Sequence, residues 1–312
     1  MGDILLSGVS QGLIWAVLAL GVFISYRILD VADLSCEGSI TLGASVAALL
    51  IWKEINPVLA ILVAFVAGCL AGVITGFLHT KLKIPAILSG ILTMISLYSI
   101  NIHIMSIATN VTGTANLSLL TYRSGTLYTS FAKLVSIDKN SAALIIGALI
   151  CVLVVGGLYW FFGTEIGSAL RATGNNEKMC RAQGIDTDKT KIIGLALSNG
   201  LIATAGALLC QHQGYSDVNM GVGSIVIGLA SIIIGEALFA RAKNFFMILI
   251  GIVAGSVIYR VVVALVIFSG MPSTDLKLMT AAVVIVALCL PQSRNFIAGL
   301  FHKKGKAGKK NV

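Results

Sequence analysis

The chain has 312 residues, of which 57% are hydrophobic and only 11% are charged, against about 25% charged in an ordinary soluble domain. A soluble fold has no interior large enough for that much apolar surface, and the net charge of +9 comes from Lys and Arg placed between and after apolar runs. Anionic lipid and membrane topology account for such charges, so no nucleic-acid partner is expected.

The expected fold is all-α: a polytopic integral membrane protein of the cell (plasma or inner) membrane, with about nine lipid-embedded helices of roughly 20 residues each. The first apolar run, 4–26, has no basic leader and no obvious small-residue cleavage site, so it reads as a retained helix. Further spans are expected at 38–52, 57–78, 84–106, 142–162, 192–210, 222–240, 245–269 and 276–292, making 1–302 one membrane domain. The tail 303–312 carries Lys303, Lys304, Lys306, Lys309 and Lys310. Placing it in the cytoplasm puts the 163–191 loop and the His79–Lys83 turn there too, and leaves the polar, Thr/Ser-rich segment 107–141 outside. Cys36, Cys69, Cys151, Cys180, Cys210 and Cys289 are scattered without a CxxC pair or metal-ligand spacing, so they read as small core residues and no metal site is expected.

The chain echoes itself. Ser10-Gln11-Gly12-Leu13-Ile14 returns as Ser198-Asn199-Gly200-Leu201-Ile202, and Gly38-Ser39-Ile40 with Gly43 returns as Gly223-Ser224-Ile225 with Gly228, at offsets of 188 and 185. In this topology the first copy runs inward and the second outward, which predicts an inverted internal repeat. Polar, interrupted sequence precedes each repeated Gly-Ser-Ile: Asp30 to Glu37 in one half, Tyr215 to Met220 in the other. Irregular backbone at membrane depth is tolerated where protein or water satisfies it, so matched breaks point to a transport pathway. Candidate pathway residues are therefore Ser35, Glu37, Gly38, Ser39, Gly223 and Ser224. Glu37 reads equally as an interfacial cap of the second span. Arg260, deep in a span, is a candidate for a substrate carboxylate or a partner for a vestibule carbonyl. Asn101 joins the candidates, although with His103 it reads first as an interhelical hydrogen-bonding residue. Glu236 and Arg241 read as an interfacial pair.

The cytoplasmic loop reads as two short helices, with Asn175 to cap the second, Gly184 to end it, and Asp186 or Thr187 to cap the helix that re-enters the membrane. Gly167, Ala169-Leu170-Arg171-Ala172, Gly174-Asn175, Ala182 and Gly184-Ile185 resemble the cytoplasmic loop of permease subunits in ATP-binding-cassette importers of the branched-chain amino acid and ribose type. The resemblance implies a coupling helix docked on a separate ATPase subunit, with Arg171, Ala172, Gly174, Asn175, Arg181 and Gly184 in that contact. It also implies an extracytoplasmic substrate-binding protein and a homodimeric permease. The closest branch includes systems for aromatic amino acids such as tryptophan. In the amino-terminal half the family's His-Gly pair is absent, and 33–38 match only in outline.

The one Gly-Lys pair, Gly305-Lys306, precedes Ala307 and forms no phosphate loop, so ATP is expected to be used by the partner and no cofactor is expected on this chain. Neither GxSxG nor HExxH occurs, which leaves no catalytic residues to nominate. The competing function is an ion-coupled secondary transporter, equally at home with inverted repeats. A membrane-embedded enzyme ranks behind both.

Overall fold

The computed structural model describes residues 2–119, 125–239 and 244–268, with five further positions between 278 and 285. Its helices are α1 (Gly2–Phe23), prolonged by a π-helical turn (Ile24–Ile28), α2 (Cys36–Trp52), α3 (Pro57–Thr80), α4 (Ala86–Thr109), α5 (Leu127–Val135), α6 (Lys139–Gly163), α7 (Glu165–Asn175), α8 (Glu177–Ala182), α9 (Thr187–Gln213), α10 (Ser224–Leu238) and α11 (Phe245–Phe268). Two short strands, β1 (Asn116–Ser118) and β2 (Tyr215–Asp217), pair antiparallel with Asn116 opposite Asp217. They tie the segment after α4 to the break between α9 and α10.

The all-α membrane architecture holds, but the count of nine does not emerge. Among the described residues six helices are long and apolar enough to cross a membrane: α1 with its π turn, α3, α4, α6, α9 and α11. The second and seventh expected spans are α2, with 17 residues, and α10, with 15. At 1.5 Å per residue they rise only about 26 and 22 Å, short of the ~30 Å hydrocarbon core. The candidate at 276–292 falls almost wholly outside the described residues, as do the tail 303–312 and Arg241.

Local chemistry sets the helix ends. Pro57 opens α3, where the Asn56 side chain accepts from Val58 N at 2.9 Å. Asp186 caps α9 by accepting from Lys189 N at 3.2 Å, and Gly214 ends it at φ 82°, a backbone setting that favours glycine. Asn176, not the expected Asn175, caps α8 by accepting from Met179 N at 3.0 Å, because Asn175 is still the last residue of α7. Glu236 pairs with Arg27 at the end of α1, 2.8 Å away.

The repeat is visible in the packing. The membrane windows of α9 and α1 are 78% and 61% buried, against 28–39% for the other four long helices, so the two repeat-related helices form the centre. They run antiparallel: Gly21 lies against Ser198 and Ile202, Ser198 Oγ donates to Gly21 O at 2.8 Å, and Trp15 and Leu209 border one cavity further along. Gly12 of α1 packs on Val257 of α11, while its equivalent Gly200 of α9 packs on Cys69 of α3. Val257 and Cys69 are themselves 257 − 69 = 188 apart, the offset of the glycines (200 − 12). In the same way Gly228 of α10 lies on Leu18 and Val22 of α1, and Gly43 of α2 lies on Ala203 of α9. Two copies of one scaffold, inverted, thus hold each other's first helix.

Candidate functional site

The chain between the π turn and α2 is non-helical, and Leu29, Val31, Asp33 and Ser35 within it are buried, so the polar groups at those positions need partners inside the protein. Asn199 of α9 supplies them. Its Nδ2 donates to Asp33 Oδ2 at 2.8 Å and to Leu195 O at 3.1 Å. Its Oδ1 accepts from Ser35 Oγ at 3.1 Å and Ser39 Oγ at 2.6 Å. Ser35 N also donates to Asp33 Oδ1 at 2.8 Å. All four side chains are buried. Two of the expected residues, Ser35 and Ser39, therefore belong to a polar hub, whose other members, Asp33 and Asn199, sequence reasoning did not single out. The signal was present, since Asn199 lies in the repeated Ser-Asn-Gly and Asp33 in the interrupted segment.

On another side of α2 the two breaks meet. Glu37 sits in the first turn of α2, where an anion suits the helix dipole. Its Oε1 also accepts from Gly223 N at 2.9 Å, just before α10. Gly221 packs so closely on Glu37 O that a Cβ would not fit, and Gly223 has φ 83°. Asn101 Nδ2 donates to Gly38 O at 3.3 Å, and its Oδ1 accepts from Ser45 Oγ at 3.4 Å. Glu37, Gly38 and Asn101 line a cavity of about 410 Å³ together with Met94, Tyr98 and Asn219. The structure thus brings Glu37, Gly38, Asn101 and Gly223 together, with Ser224 buried at the start of α10. Arg260 stands apart. Its guanidinium stacks on the Trp15 ring at 4.3 Å and borders a separate pocket between α1 and α11 with Ser7 and Gln11. A second large cavity, about 540 Å³, lies against the α9–α10 break, lined by Trp15, Leu209, Gln213, Tyr215, Asp217 and Met220, with Asn219 bordering both spaces.

The 163–191 loop forms a ledge packed against the ends of α1 and α6. Gly174 packs on Ile28 O and Leu29 at the end of α1, and Gly167 packs on Phe161 and Phe162, contacts a side chain would block. Thr173 Oγ1 lies 3.0 Å from Thr190 Oγ1. Arg171 Nη2 donates to Phe162 O at 2.8 Å, satisfying a carbonyl that α6 leaves open at its end, and its guanidinium lies 5.5 Å from the centre of the Phe245 ring. Arg181 Nη2 donates to Glu177 Oε1 at 2.8 Å and Asp188 Oδ1 at 3.1 Å, and its Nε donates to Thr187 Oγ1 at 2.7 Å. Lys191 Nζ reaches Glu177 Oε2 at 2.8 Å. That hydrogen bond, with the Lys191 and Arg181 charges, holds the Glu177 carboxyl below its ordinary range. Both arginines thus make hydrogen bonds within the chain while remaining exposed. Exposed on the ledge are Ile166, Arg171, Asn175, Lys178, Met179, Arg181, Gln183 and Gly184, among others. Gly184 ends the ledge at φ 82°.

A family model described as "Branched-chain amino acid transport system / permease component" matches residues 4–289. A tyrosine transport system permease protein of Clostridioides difficile is 42% identical over 285 residues, spanning 91% of this chain and 90% of that one. A probable branched-chain amino acid transport permease protein LivH of Methanocaldococcus jannaschii is 29% identical over 200 residues, 62% of this chain and 61% of the other. Among solved structures, PsaBC from Streptococcus pneumoniae in complex with Fab aligns at a TM-score of 0.50 and 13% identity, covering 92% of this chain and 90% of that one, a likeness of fold alone.

Proposed function

Because this chain belongs to the branched-chain amino acid transport permease family and is a multi-pass protein of the cell membrane, we propose that it is the membrane subunit of an ATP-driven importer whose solute is an aromatic amino acid. The 42% identity to a tyrosine transport permease across nine-tenths of both chains supports this solute class. The observation that carries the mechanism is the arrangement of the two breaks, joined by Glu37 and Gly223 and bordered by a cavity.

In this reading a separate ATPase subunit docks on α7 and α8 from the cytoplasm, and ATP is bound and hydrolysed there. Gly174 and Arg171 fix α7 to the end of α1 and to α6, so a push on the ledge moves α1 without first bending the loop. Ala172, Asn175, Arg181 and Gly184 lie along this docking surface. A movement of α1 reaches α9, its central antiparallel neighbour, and with it both breaks. Half-helices of about 22–26 Å then open and close the Glu37 cavity toward one side of the membrane and the other. Two copies of the chain would work with two ATPases and an extracytoplasmic binding protein that delivers the solute.

The test is uptake by proteoliposomes holding the permease with its ATPase, supplied with the binding protein. ATP-dependent accumulation of labelled L-tyrosine, with L-leucine and ribose as comparison solutes, is the expected result. Accumulation that needs no ATP and collapses with a protonophore would sink the importer reading in favour of ion coupling.

A further inference from the structure

The cavity of about 540 Å³ is within the usual size range for a small-molecule site, roughly 300–1,000 Å³, and it is unusual in what it leaves unpaired. The Trp15 indole is only 6% exposed, yet among the described residues its Nε1–H has no hydrogen-bond partner. Gln213 Oε1, in the same wall, is likewise buried without one. Buried donors and acceptors are almost always satisfied, so an unpaired donor and an unpaired acceptor bordering one space point to something that fills it. The one charge on the lining is the Asp217 carboxylate, held in place by Asn116 Nδ2 at 3.1 Å and Asn219 N at 2.7 Å. Asn116 and Asn219 add polar lining, and Trp15, Tyr215, Leu209 and Met220 supply an aromatic and apolar part of the wall.

Resting on the importer reading above, we propose that this cavity is the permease's own recognition site for a zwitterionic aromatic amino acid. The α-ammonium lies between Asp217 and the Gln213 carbonyl. The carboxylate accepts from Trp15 Nε1–H, with the Arg260 guanidinium stacked on the same indole and lending it positive potential. The ring packs on Tyr215, Leu209 and Met220, a surface that favours aromatic over small aliphatic side chains. Asn219 borders both this cavity and the Glu37 cavity. Filling the first therefore bears on the segment whose end, Gly223, is latched to Glu37, which links recognition of the solute to the α9–α10 break.

The chain's three tryptophans are Trp15, Trp52 and Trp160, so Trp52→Phe with Trp160→Phe leaves a reporter in the wall of the site. In the purified permease–ATPase complex without binding protein, L-tyrosine and L-phenylalanine should change Trp15 emission saturably and L-leucine should not. Asp217→Asn should raise the half-saturating concentration about tenfold, the loss of one charge-assisted hydrogen bond. Tyramine, which keeps the ammonium, should compete, and 3-(4-hydroxyphenyl)propionate, which lacks it, should not. If the reporter variant does not assemble, Trp15→Phe and Asp217→Asn in proteoliposomes decide, each being expected to cut L-tyrosine uptake about tenfold. Unchanged emission, or unchanged uptake by both variants, while wild type accumulates L-tyrosine would overturn the site and leave the importer reading intact. Wild-type proteoliposomes that accumulate none of the aromatic amino acids would overturn both.

Discussion

Replacing Asn199 with leucine keeps the branched outline of the side chain and removes the amide at the centre of the polar hub. Asp33 Oδ2 loses a donor at 2.8 Å, and the Ser35 and Ser39 hydroxyls lose their acceptor at 3.1 and 2.6 Å. A hydrogen bond to a charged group contributes about 1.5–3 kcal/mol and a neutral one about 1, which for one of the first and two of the second sums to roughly 3.5–5 kcal/mol. Polar pairs inside membrane proteins average nearer 0.6 kcal/mol, which sets a floor of about 2. Thermal melting of the detergent-solubilised permease should therefore show Asn199→Leu destabilised by roughly 2–5 kcal/mol. The exchange Asp33→Asn with Asn199→Asp keeps one carboxylate and one amide in the hub and should recover much of the loss seen in either single change, a coupling read by a double-mutant cycle. A leucine variant that melts with wild type, or an exchange no better than its parts, would refute the hub as a structural joint.

Gly206→Ala puts a methyl on Ile40 O of α2, where backbone cannot give way, and should cost about 1–3 kcal/mol in the same melt. Gly157→Ala, with open space around it, should be neutral or stabilising by up to about 1 kcal/mol. Glu37→Leu should lower ATP-driven uptake about tenfold by stripping Gly223 N–H of its acceptor, while Glu37→Gln, which keeps an oxygen there, should retain most of it. Glu177 has its folded pKa held below the ordinary 4.5, chiefly by its hydrogen bond from Lys191. A depressed carboxyl stabilises fully above its unfolded pKa and loses that contribution as pH falls through the folded one. Hydrogen exchange at 176–188 should thus be flat from about pH 8 to about pH 5 after correction for intrinsic rates and rise below about pH 4, and Glu177→Gln should weaken that dependence around α8.

The long helices were legible because an apolar run of membrane length has one stable backbone in lipid, and the repeat was legible because Gly12 and Gly200 are forced by the same close packing. Boundaries were less so. Asn175 and Asn176 are both good caps, and only the extra residue of α7 chooses between them. The hub was hidden because Asp33 and Asn199 stand 166 residues apart and neither is unusual alone. The hydrogen bond from Arg171 to Phe162 O was not foreseen, because no sequence pattern announces that this carbonyl needs a donor. Two strands of three residues each carry too little alternation to be seen in a Thr/Ser-rich stretch.

The two halves share a scaffold but not a fastening. By the repeat offsets Asn199 corresponds to Gln11, Ser39 to Ser224, and Asp33 to Val218. The first break is bolted to α9 through a carboxylate and two hydroxyls, whereas the second offers a valine, and its serine Oγ is buried without a partner. Exchanging the roles of the halves, as a pseudo-twofold invites, is therefore uphill in one direction. In the importer proposed above, the first break would be the member of the pair held fast to α9, and the second, which lacks that joint among the described contacts, the member left to shift.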